Sequence, residues 1–544
     1  MQTSIEIMDT TLRDGEQTDG VSFSVFEKMH IARYLLEHLH VDRIEIASAR
    51  VSEGERQSIT EVLEWARSAT MAERIEMLGF TDHRASVDWI QSCGGRVINL
   101  LTKGSEKHCR EQLGKNLTEH LRDIEQTVAY ARDQEMTVNV YLEDWSNGYL
   151  NSRAYVRELI TAVAGLGIRR LFLPDTLGIL SPEECYAGIS DAVDYAGGVA
   201  LEFHGHNDYG LAVANCLSAV RAGVSGLHVA VNGLGERAGN SPLEAVVTAL
   251  HDKLKVKTRI KEKAIMGASR LVETFSGKRI QSNRPIVGQD VYTQTAGIHA
   301  DGDKKNNLYA NPILPERFGR KRVYALGKLA GKASVTNNLR MMGLQLSVER
   351  EQALLDRVKE LGEKKKNVTA DDLPFLIQDM FGAGNARQIE ISAARLTTGL
   401  HMRPHADIEV RYRDQTWHSR SEGDGGYDAF MNALKKIAPD MGLVLPRLLD
   451  YEVRIPPGGK TDALVEAIIL WEFENRPKNA ETSSAGKLSS RSLESNSVGM
   501  EAFIREGRTM RTIGLSPDQN IAAIRATEKM LNALVMADLT LGQD

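Results

Sequence analysis

Two histidines separated by one glycine are the strongest chemical signal in the sequence. His204 and His206 occupy alternate positions of an apolar run, ALEFHGHND at 200–208. Because side chains alternate between the faces of a strand, both imidazoles should point the same way, with Gly205 leaving room between them. Such a pair is also typical of hydrogen-bonded histidines, but a carboxylate such as Asp14 would complete a metal site with positions open for substrate. These ligand types suit Zn²⁺ or Mn²⁺, with Mg²⁺ as an alternative.

Short apolar runs recur along the first 250 residues and must position these side chains. Between them, apolar residues have helical spacing, as at Val156, Ile160 and Val163. Eight pairs of strand and helix predict a (β/α)8 TIM barrel over 1–259. A doubly wound open sheet is the alternative, but no glycine-rich phosphate turn follows the first run. The runs cover 5–14, 41–48, 74–80, 96–103, 137–145, 169–176, 200–208 and 226–236.

The ends of the predicted strands are rich in ionisable groups. The active site of such a barrel lies at the carboxyl ends of its strands, so we expect functional side chains there. Glu202 shares the parity of the two histidines, but two residues deeper it should lie in an inner layer of the barrel. The strand ends carry Arg13, Asp14, Glu45, Gly79, Thr102, Glu143, Asp175, Thr176, His204, His206, Asn232 and Glu236.

Composition and charge are those of an ordinary globular protein. The length of 544 residues predicts three or four folding units. The residues are 42% hydrophobic and 26% charged, which is typical of a globular protein. With 67 Lys+Arg against 73 Asp+Glu, the net charge of −6 does not favour nucleic acid or a membrane surface as a partner. Four isolated cysteines and the lack of a long apolar window indicate a cytoplasmic protein.

The second half of the chain follows a different pattern. Residues 260–325 are expected to form a linker that carries His299, and 326–382 a small helical subdomain. Within 385–541, three alternating strands followed by a helix occur twice, which predicts an α+β domain of two βββα units. Residues 475–499 hold seven serines and almost no large apolar side chain, so we expect a disordered insertion there.

Four longer motifs carry a resemblance to one enzyme family. They are LRDGEQ at 12–17, HGHND at 204–208, NGLGERAGN at 232–240 and TQTAGIHADGDKKNNLYANP at 293–312. In this order they resemble the acetyl-CoA-dependent 2-oxo-acid synthases, which include isopropylmalate, homocitrate and citramalate synthases. The resemblance implies condensation of acetyl-CoA with a 2-oxo acid, hydrolysis of the thioester, a divalent metal and a homodimer.

The resemblance also implies roles for individual residues. Arg13 would lie over the substrate oxygens, oriented by Glu45, and Thr176 would bind the substrate carboxylate. Glu143 and His299 would form an acid/base pair, with His299 as the base that takes a proton from the acetyl methyl group. The implied metal ligands are Asp14, His204 and His206, with Asn240 near the metal.

Three large side chains at the ends of the third to fifth predicted strands indicate which 2-oxo acid the enzyme would accept. Leu78, Leu101 and Tyr141 match the positions that line the acceptor pocket in the family, and they leave room for roughly a methyl group. This favours pyruvate over 2-oxoisovalerate. An apolar lining would also leave the distal carboxylate of 2-oxoglutarate unpaired. The alternative is that these side chains only pack the top of the barrel.

Two turns of the C-terminal domain are expected to hold an effector. GDGGYDAF at 423–430 and PPGGKTDA at 456–463 place glycines where backbone N–H groups can approach a carboxylate, although both could be ordinary tight turns. The resemblance implies inhibition by an end-product amino acid, which is isoleucine for an enzyme using pyruvate and leucine for one using 2-oxoisovalerate. Candidate contacts are Tyr427, Asp428, Thr461 and Asp462.

Two other classes of function are disfavoured. A lyase that cleaves a hydroxy acid shares the barrel but resembles only the first half of the chain, and a requirement for acetyl-CoA would separate the two. An inactive amino-acid sensor would not need a complete catalytic set, and that set is complete. It consists of Arg13, Asp14, Glu143, His204 and His206.

Overall fold

The eight apolar runs of the first half form eight parallel strands that close into a barrel. Neighbouring strands pair in sequence order, and the first pairs with the last, so that Glu6 lies opposite Gly226. The predicted (β/α)8 barrel is confirmed. The strands are β1 Glu6–Asp9, β2 Arg43–Ser48, β3 Ile75–Phe80, β4 Val97–Lys103, β5 Thr137–Glu143, β6 Arg170–Asp175, β7 Ala200–Gly205 and β8 Gly226–Val229.

The structure is a computed structural model that describes most of the chain. The described residues are 4–295, 308, 310–341, 346–363, 368, 372–381, 389–412, 414–454, 465–473 and 509–538. Four expectations lie outside them, namely those for His299, Thr461, Asp462 and the segment 475–499. Of the helices in these ranges, none combines the length and the hydropathy that a membrane-spanning segment needs.

Amphipathic helices cover the outside of the barrel. Ser24, Asn116 and Ser181 each begin a helix with a capping box, in which a glutamate three residues later bonds back to the cap. The apolar faces of the helices form one core with the outward side chains of the strands. The helices are α1 Val25–Arg33, α2 Glu53–Ser68, α3 Ala85–Ser92, α4 Glu106–Leu113, α5 Leu117–Asp133, α6 Trp145–Asn151, α7 Arg153–Ala164, α8 Pro182–Tyr195, α9 Ala212–Ala222, α10 Leu243–Ala249 and α11 Ile265–Ser276.

Residues 260–292 pack on the barrel, which differs from the linker expected from residue 260. α11 buries Ile265 and Val272, seven positions apart on one helix face, in the core of the barrel unit. Further along, Arg317 donates from Nη1 to Asp252 Oδ1 at 2.7 Å and so ties its own segment to the barrel. The first compact unit accordingly comprises Met1–Tyr292 and Ala310–Lys321.

A layer of buried charged side chains fills the barrel near the amino ends of its strands. Arg43 donates from Nη2 to both oxygens of Glu202, at 2.5 and 2.7 Å, and from Nη1 to Glu76 at 2.8 Å. Arg170 Nε lies 3.0 Å from the same Glu202. Burial acts to raise the pKa of Glu202, but Arg43 and His228 lower it to about 2. Glu202 therefore belongs to an inner layer, as its position two residues before His204 indicated.

The second unit, Thr293–Tyr309 with Arg322–Asp544, begins with a small helical part. A short parallel pair of strands and three helices surround a core that includes Val335, Leu354 and Val358. These elements are β9 Thr293–Gln294, β10 Val323–Tyr324, α12 Lys332–Met341, α13 Val348–Glu363 and α14 Leu373–Phe381.

Two units of three antiparallel strands and one helix complete the chain, which confirms the predicted pair of βββα units. Both contribute to one core that includes Val410, Phe430, Ile469 and Leu531. The elements are β11 Ile389–Thr397, β12 His405–Tyr412, β13 Gln415–Glu422, α15 Gly426–Ile437, β14 Arg447–Arg454, β15 Val465–Glu472, β16 Thr509–Ser516 and α16 Gln519–Asp538.

Removing Arg43 should destabilise the barrel strongly, because it leaves Glu76 and Glu202 as buried carboxylates with too few partners. We expect Arg43→Met to lower the free energy of unfolding by about 3–5 kcal/mol, measured by urea unfolding followed by circular dichroism. Arg110→Met is the control, since that side chain is 69% exposed and pairs only at the surface, and it should cost less than about 1 kcal/mol. Equal losses in the two variants would contradict the proposed importance of the layer.

Candidate metal and acceptor site

The end of β7 and the turn after β1 bring His204, His206 and Asp14 together. His204 Nε2 lies 3.4 Å from His206 Nε2 and 3.7 Å from Asp14 Oδ2, and His206 Nε2 lies 4.0 Å from Asp14 Oδ1. One possible ligand atom from each of the three residues lies within 4.8 Å of the others. All three side chains are buried. The cluster has the composition that the sequence predicted for a metal site.

The electrostatics of the cluster fit a divalent cation. Burial lowers the pKa of both His204 and His206, and a neutral imidazole is the form that binds metal. Burial acts to raise the pKa of Asp14, but Arg13 and the two histidines bring it below its usual range, so the carboxylate is ionised. Two neutral nitrogens and one carboxylate that face each other suit a shared cation.

Asn240 contacts the cluster through Asp14. Its Nδ2 donates to Asp14 Oδ1 at 2.8 Å and to the carbonyl of Leu234 at 2.8 Å, while its buried Oδ1 has no hydrogen-bond partner in the described structure. Gly235 permits this approach, since its φ is +157° and a Cβ there would lie 2.3 Å from Asn240 Nδ2. The free Oδ1 makes Asn240 a further candidate ligand.

Arg13 is held between two carboxylates. Its Nε donates to Glu45 Oε2 at 2.6 Å, its Nη1 pairs with Asp14, and its Nη2 lies 3.4 Å from the hydroxyl of Tyr141. Glu45 is in turn fixed by Asn99 Nδ2 at 2.7 Å. Burial opposes the charge, but Glu45 and Asp14 raise the pKa of Arg13 above its usual value. The guanidinium is therefore a fixed positive group beside the cluster.

A separate apolar cluster lies within the barrel next to these charges. The ring centroids of Tyr141 and His204 are 6.0 Å apart, so the apolar side chains adjoin the candidate metal ligands. We call the apolar cluster the wall; its members are Met8, Leu78, Leu101, Tyr141 and Phe172. The structure thus brings the three predicted acceptor residues together. Met8 and Phe172 were missed, although their parity along β1 and β6 could have placed them on the inner face.

Glu143 and Thr176 lie at the barrel rim and contact neighbours that the sequence analysis did not single out. Lys103 and Glu143 occupy paired positions of β4 and β5 and form an ion pair. Thr176 Oγ1 accepts a hydrogen bond from the backbone N–H of Asp144 at 2.9 Å, which leaves its own hydrogen free to donate. Lys103 follows the predicted strand end Thr102 by one residue, and strand alternation could have identified it.

One predicted strand-end residue turns away from the cluster. Asn232 Nδ2 donates to the carbonyl of Ser269 at 2.9 Å, and Ser269 Oγ donates back to Asn232 Oδ1 at 2.6 Å. Asn232 therefore connects the turn after β8 to α11. It is a structural residue of the rim.

The described effector candidates have different environments. Tyr427 is buried, and its hydroxyl lies 2.7 Å from Thr527 Oγ1, so its placement favours packing between α15 and α16 over direct contact with an effector. Asp428 is exposed, and its Oδ2 accepts hydrogen bonds from the backbone N–H of Asp424 and from Asn432 Nδ2. A charged ligand could reach Asp428 but not the Tyr427 hydroxyl.

Three family profiles match successive parts of the chain. The HMGL-like family matches residues 4–272. The homocitrate synthase post-HMGL domain-like family matches 286–366, and the LeuA allosteric (dimerisation) domain matches 367–487. The matches therefore extend from the barrel into the C-terminal domain.

Curated relatives resemble the chain over most of its length. A Methanopyrus kandleri protein with the provisional name (R)-citramalate synthase is 36% identical over 85% of this chain and 88% of that protein. The (R)-citramalate synthase of Methanocaldococcus jannaschii is 33% identical over 86% and 92%. The 2-isopropylmalate synthase of that organism is 32% identical over 87% and 89%.

Sequence identity of this degree over most of the chain, together with a barrel of the HMGL-like family, places the protein among the acyltransferases that condense acetyl-CoA with a 2-oxo acid. The chain belongs to the family of (R)-citramalate and 2-isopropylmalate synthases. The resemblance stated from the sequence motifs is confirmed.

Loss of the Asp14 carboxylate should strongly weaken metal binding at the cluster. We expect Asp14→Asn to weaken binding of Zn²⁺ or Mn²⁺ by at least about 100-fold in equilibrium dialysis, because an amide replaces the charged ligand. Asp9→Asn is the matched control, since Asp9 is a buried carboxylate that precedes the same turn but lies outside the cluster. Retention of metal by Asp14→Asn, or equal loss in both variants, would rule out this site.

Proposed function

We propose that this enzyme condenses acetyl-CoA with pyruvate to give (R)-citramalate and CoA, in a route to isoleucine. The observation that carries the proposal is the wall of large apolar side chains beside the charged group of Arg13, Asp14, His204 and His206. Pyruvate offers a carboxylate and a keto oxygen to the charges and only a methyl group to the wall. Larger substituents would need space that Leu78, Leu101 and Tyr141 occupy, and steric exclusion is the effective means of rejecting an extra methylene.

Asp14, His204 and His206 would hold a divalent metal, with Asn240 Oδ1 as a further donor. Neutral imidazoles and a carboxylate suit Zn²⁺ or Mn²⁺, with Mg²⁺ as the alternative. When bound, such an ion stabilises the negative charge that develops on the keto oxygen.

Arg13 and Thr176 bind the acceptor in this proposal. Arg13 is already oriented by Glu45 and Asp14, so its guanidinium can donate to the keto oxygen as charge builds there without reorganising. The Thr176 hydroxyl has its hydrogen free because its oxygen accepts from the Asp144 N–H, and it donates to the pyruvate carboxylate.

His299 and Glu143 carry the proton transfers. His299 takes a proton from the acetyl methyl group, and that carbon bonds to the keto carbon of pyruvate, whose oxygen becomes an alkoxide. In this proposal the Glu143 carboxylate, which pairs with Lys103, accepts that proton from the imidazolium and delivers it to the alkoxide, so that both side chains return to their starting charges. Water then attacks the thioester carbonyl, and the CoA thiol leaves.

The runner-up is a 2-isopropylmalate synthase, which uses 2-oxoisovalerate and is inhibited by leucine. Family members under both names have similar identity to this chain, so identity alone does not decide between them. The wall favours pyruvate, because 2-oxoisovalerate has an isopropyl group where pyruvate has a methyl group, and the two additional carbons need more space.

Substitution in the wall should relax the choice of acceptor. We expect thiol release from acetyl-CoA to favour pyruvate over 2-oxoisovalerate and 2-oxoglutarate. In Leu101→Ala, the ratio of kcat/KM for pyruvate to that for 2-oxoisovalerate should fall by about 10-fold or more, because the space gained admits the larger group.

Leu100→Ala is the matched control, since Leu100 lies on the same strand but packs in the outer core of the barrel. A ratio of two kcat/KM values does not depend on the amount of folded enzyme, so loss of stability in either variant does not affect it. Preference of the parent for 2-oxoisovalerate would replace the proposal by the runner-up. Turnover that does not depend on acetyl-CoA would indicate a lyase.

We further propose that the enzyme is a homodimer inhibited by isoleucine. The match to the LeuA allosteric (dimerisation) domain supports both statements. Asp428 is exposed and could pair with the ammonium group of the amino acid, while Thr461 and Asp462 remain candidates from the sequence. Inhibition from that domain requires two protein states that differ in affinity for isoleucine.

Inhibition should be selective for isoleucine and depend on Asp428. We expect Asp428→Ala to raise the isoleucine concentration for half-inhibition by about 10-fold without changing kcat, since a charged hydrogen bond is lost. Asp440→Ala, an exposed aspartate just beyond the same helix, should leave it unchanged. Stronger inhibition of the parent by leucine than by isoleucine would contradict this assignment. So would half-inhibition of Asp428→Ala at the same isoleucine concentration as the parent.

A further inference from the structure

His228 occupies the inside of the barrel next to the wall and has no role in the proposed reaction. It lies on β8, and its side chain is completely buried. Its Nε2 is 3.0 Å from Glu202 Oε2, and its Nδ1 is 2.9 Å from the hydroxyl oxygen of Tyr141. The imidazole thus connects the charged layer at the amino ends of the strands to an aromatic residue of the wall.

The direction of these two hydrogen bonds follows from Glu202. This carboxylate accepts from Arg43 and lies 3.0 Å from Arg170, so it is ionised and can only accept. His228 Nε2 therefore carries the hydrogen and donates to Glu202. The hydrogen bond at Nε2 selects the tautomer whose Nδ1 is an acceptor.

The Tyr141 hydroxyl completes the connection. Arg13 Nη2 can donate to its oxygen at 3.4 Å, so the hydroxyl must direct its own hydrogen elsewhere. Two acceptors are in reach, Glu45 Oε2 at 3.4 Å and His228 Nδ1 at 2.9 Å. The shorter distance favours His228, and Glu45 Oε2 already accepts from Arg13 at 2.6 Å.

Packing holds the two rings in this arrangement. The ring centroid of Phe172 lies 4.5 Å from that of His228 and 4.7 Å from that of Tyr141, and both pairs are arranged edge to face. Tyr141 is thus fixed at its tip by a hydrogen bond and along its ring by contact. A ring held in this way cannot swing aside for a larger acceptor substituent.

We propose that His228 is a positioning residue that sets acceptor specificity by anchoring the Tyr141 hydroxyl. The proposal rests on the proposed function, because it assigns the acceptor to the pocket that Tyr141 lines. His228 itself touches no reacting atom. It acts through Tyr141, whose ring forms one side of the space left for the methyl group of pyruvate.

A pair of similar polar variants separates the acceptor role from simple packing. In His228→Asn the amide oxygen can take the place of Nδ1 and accept from Tyr141, whereas in His228→Gln the longer amide reaches toward Glu202 and leaves Tyr141 without its acceptor. The readout is the ratio of kcat/KM for pyruvate to that for 2-oxobutanoate, which is one methylene longer. We expect roughly a 10-fold fall in His228→Gln and less than about a two-fold change in His228→Asn.

A double-mutant cycle with Tyr141→Phe tests whether His228 acts through the hydroxyl. Tyr141→Phe should lower the ratio by about as much as His228→Gln, and the double variant should lower it no further, because both changes remove the same hydrogen bond. If the two residues acted separately, the factors would multiply to roughly 100-fold.

The outcomes are distinct from those that test the proposed function. Thiol release by the parent enzyme with pyruvate tests the function, whereas the ratios among the variants test the role of His228. Equal falls in His228→Asn and His228→Gln, an unchanged ratio in both, or multiplying factors in the cycle would each overturn the proposal. If His228→Gln yields no folded enzyme, the comparison is made between His228→Asn and Tyr141→Phe. The proposal expects the ratio to fall in Tyr141→Phe but not in His228→Asn, and an equal fall in both variants would overturn it.

Discussion

The position of the Arg13 guanidinium between Glu45 and Asp14 is the constraint on which the rest of the site depends. A buried arginine is stable only where carboxylates neutralise it, and here each carboxylate also has a second task. Asp14 belongs to the candidate metal cluster, and Glu45 is fixed by Asn99. The two ion pairs therefore set the position of the charged side of the site relative to the barrel strands before any substrate binds.

The same polar chain continues through the inside of the barrel. Asn99 accepts from Asn139 Nδ2 at 2.8 Å, and Asn139 lies 3.3 Å from Glu76, which pairs with Arg43. From Arg43 the contacts lead through Glu202 and His228 back to Tyr141 and Arg13. Breaking a link of this network would leave a charged or polar group without its partner, which is costly at this depth.

The barrel and the cluster of Asp14, His204 and His206 could be predicted from the sequence, whereas the polar contacts inside the barrel could not. Eight short apolar runs that alternate with segments of helical spacing indicate the strands. The two histidines of one run and a carboxylate at another strand end then point to His204, His206 and Asp14. The partners of Glu45 and Tyr141 depend on the stagger of the closed barrel, which no single run contains. Asn99, the partner of Glu45, and His228, the partner of Tyr141, were missed for this reason. The packing of helix α11 on the barrel was not predicted, because its short helical stretch is followed by a segment containing glycine, asparagine and proline, and the two together resemble a linker.

The wall gains its shape from its polar surroundings. It is a small apolar cluster, separate from the main core, with the charged layer on one side and the candidate metal cluster on the other. A side chain in a purely apolar cluster can repack when a neighbour changes, and selectivity for a methyl group over an ethyl group would then be weak. A hydrogen bond at the tip of Tyr141 removes that freedom. In the proposed function, Glu202 and His228 would thus influence the choice of 2-oxo acid through Tyr141 without touching the substrate.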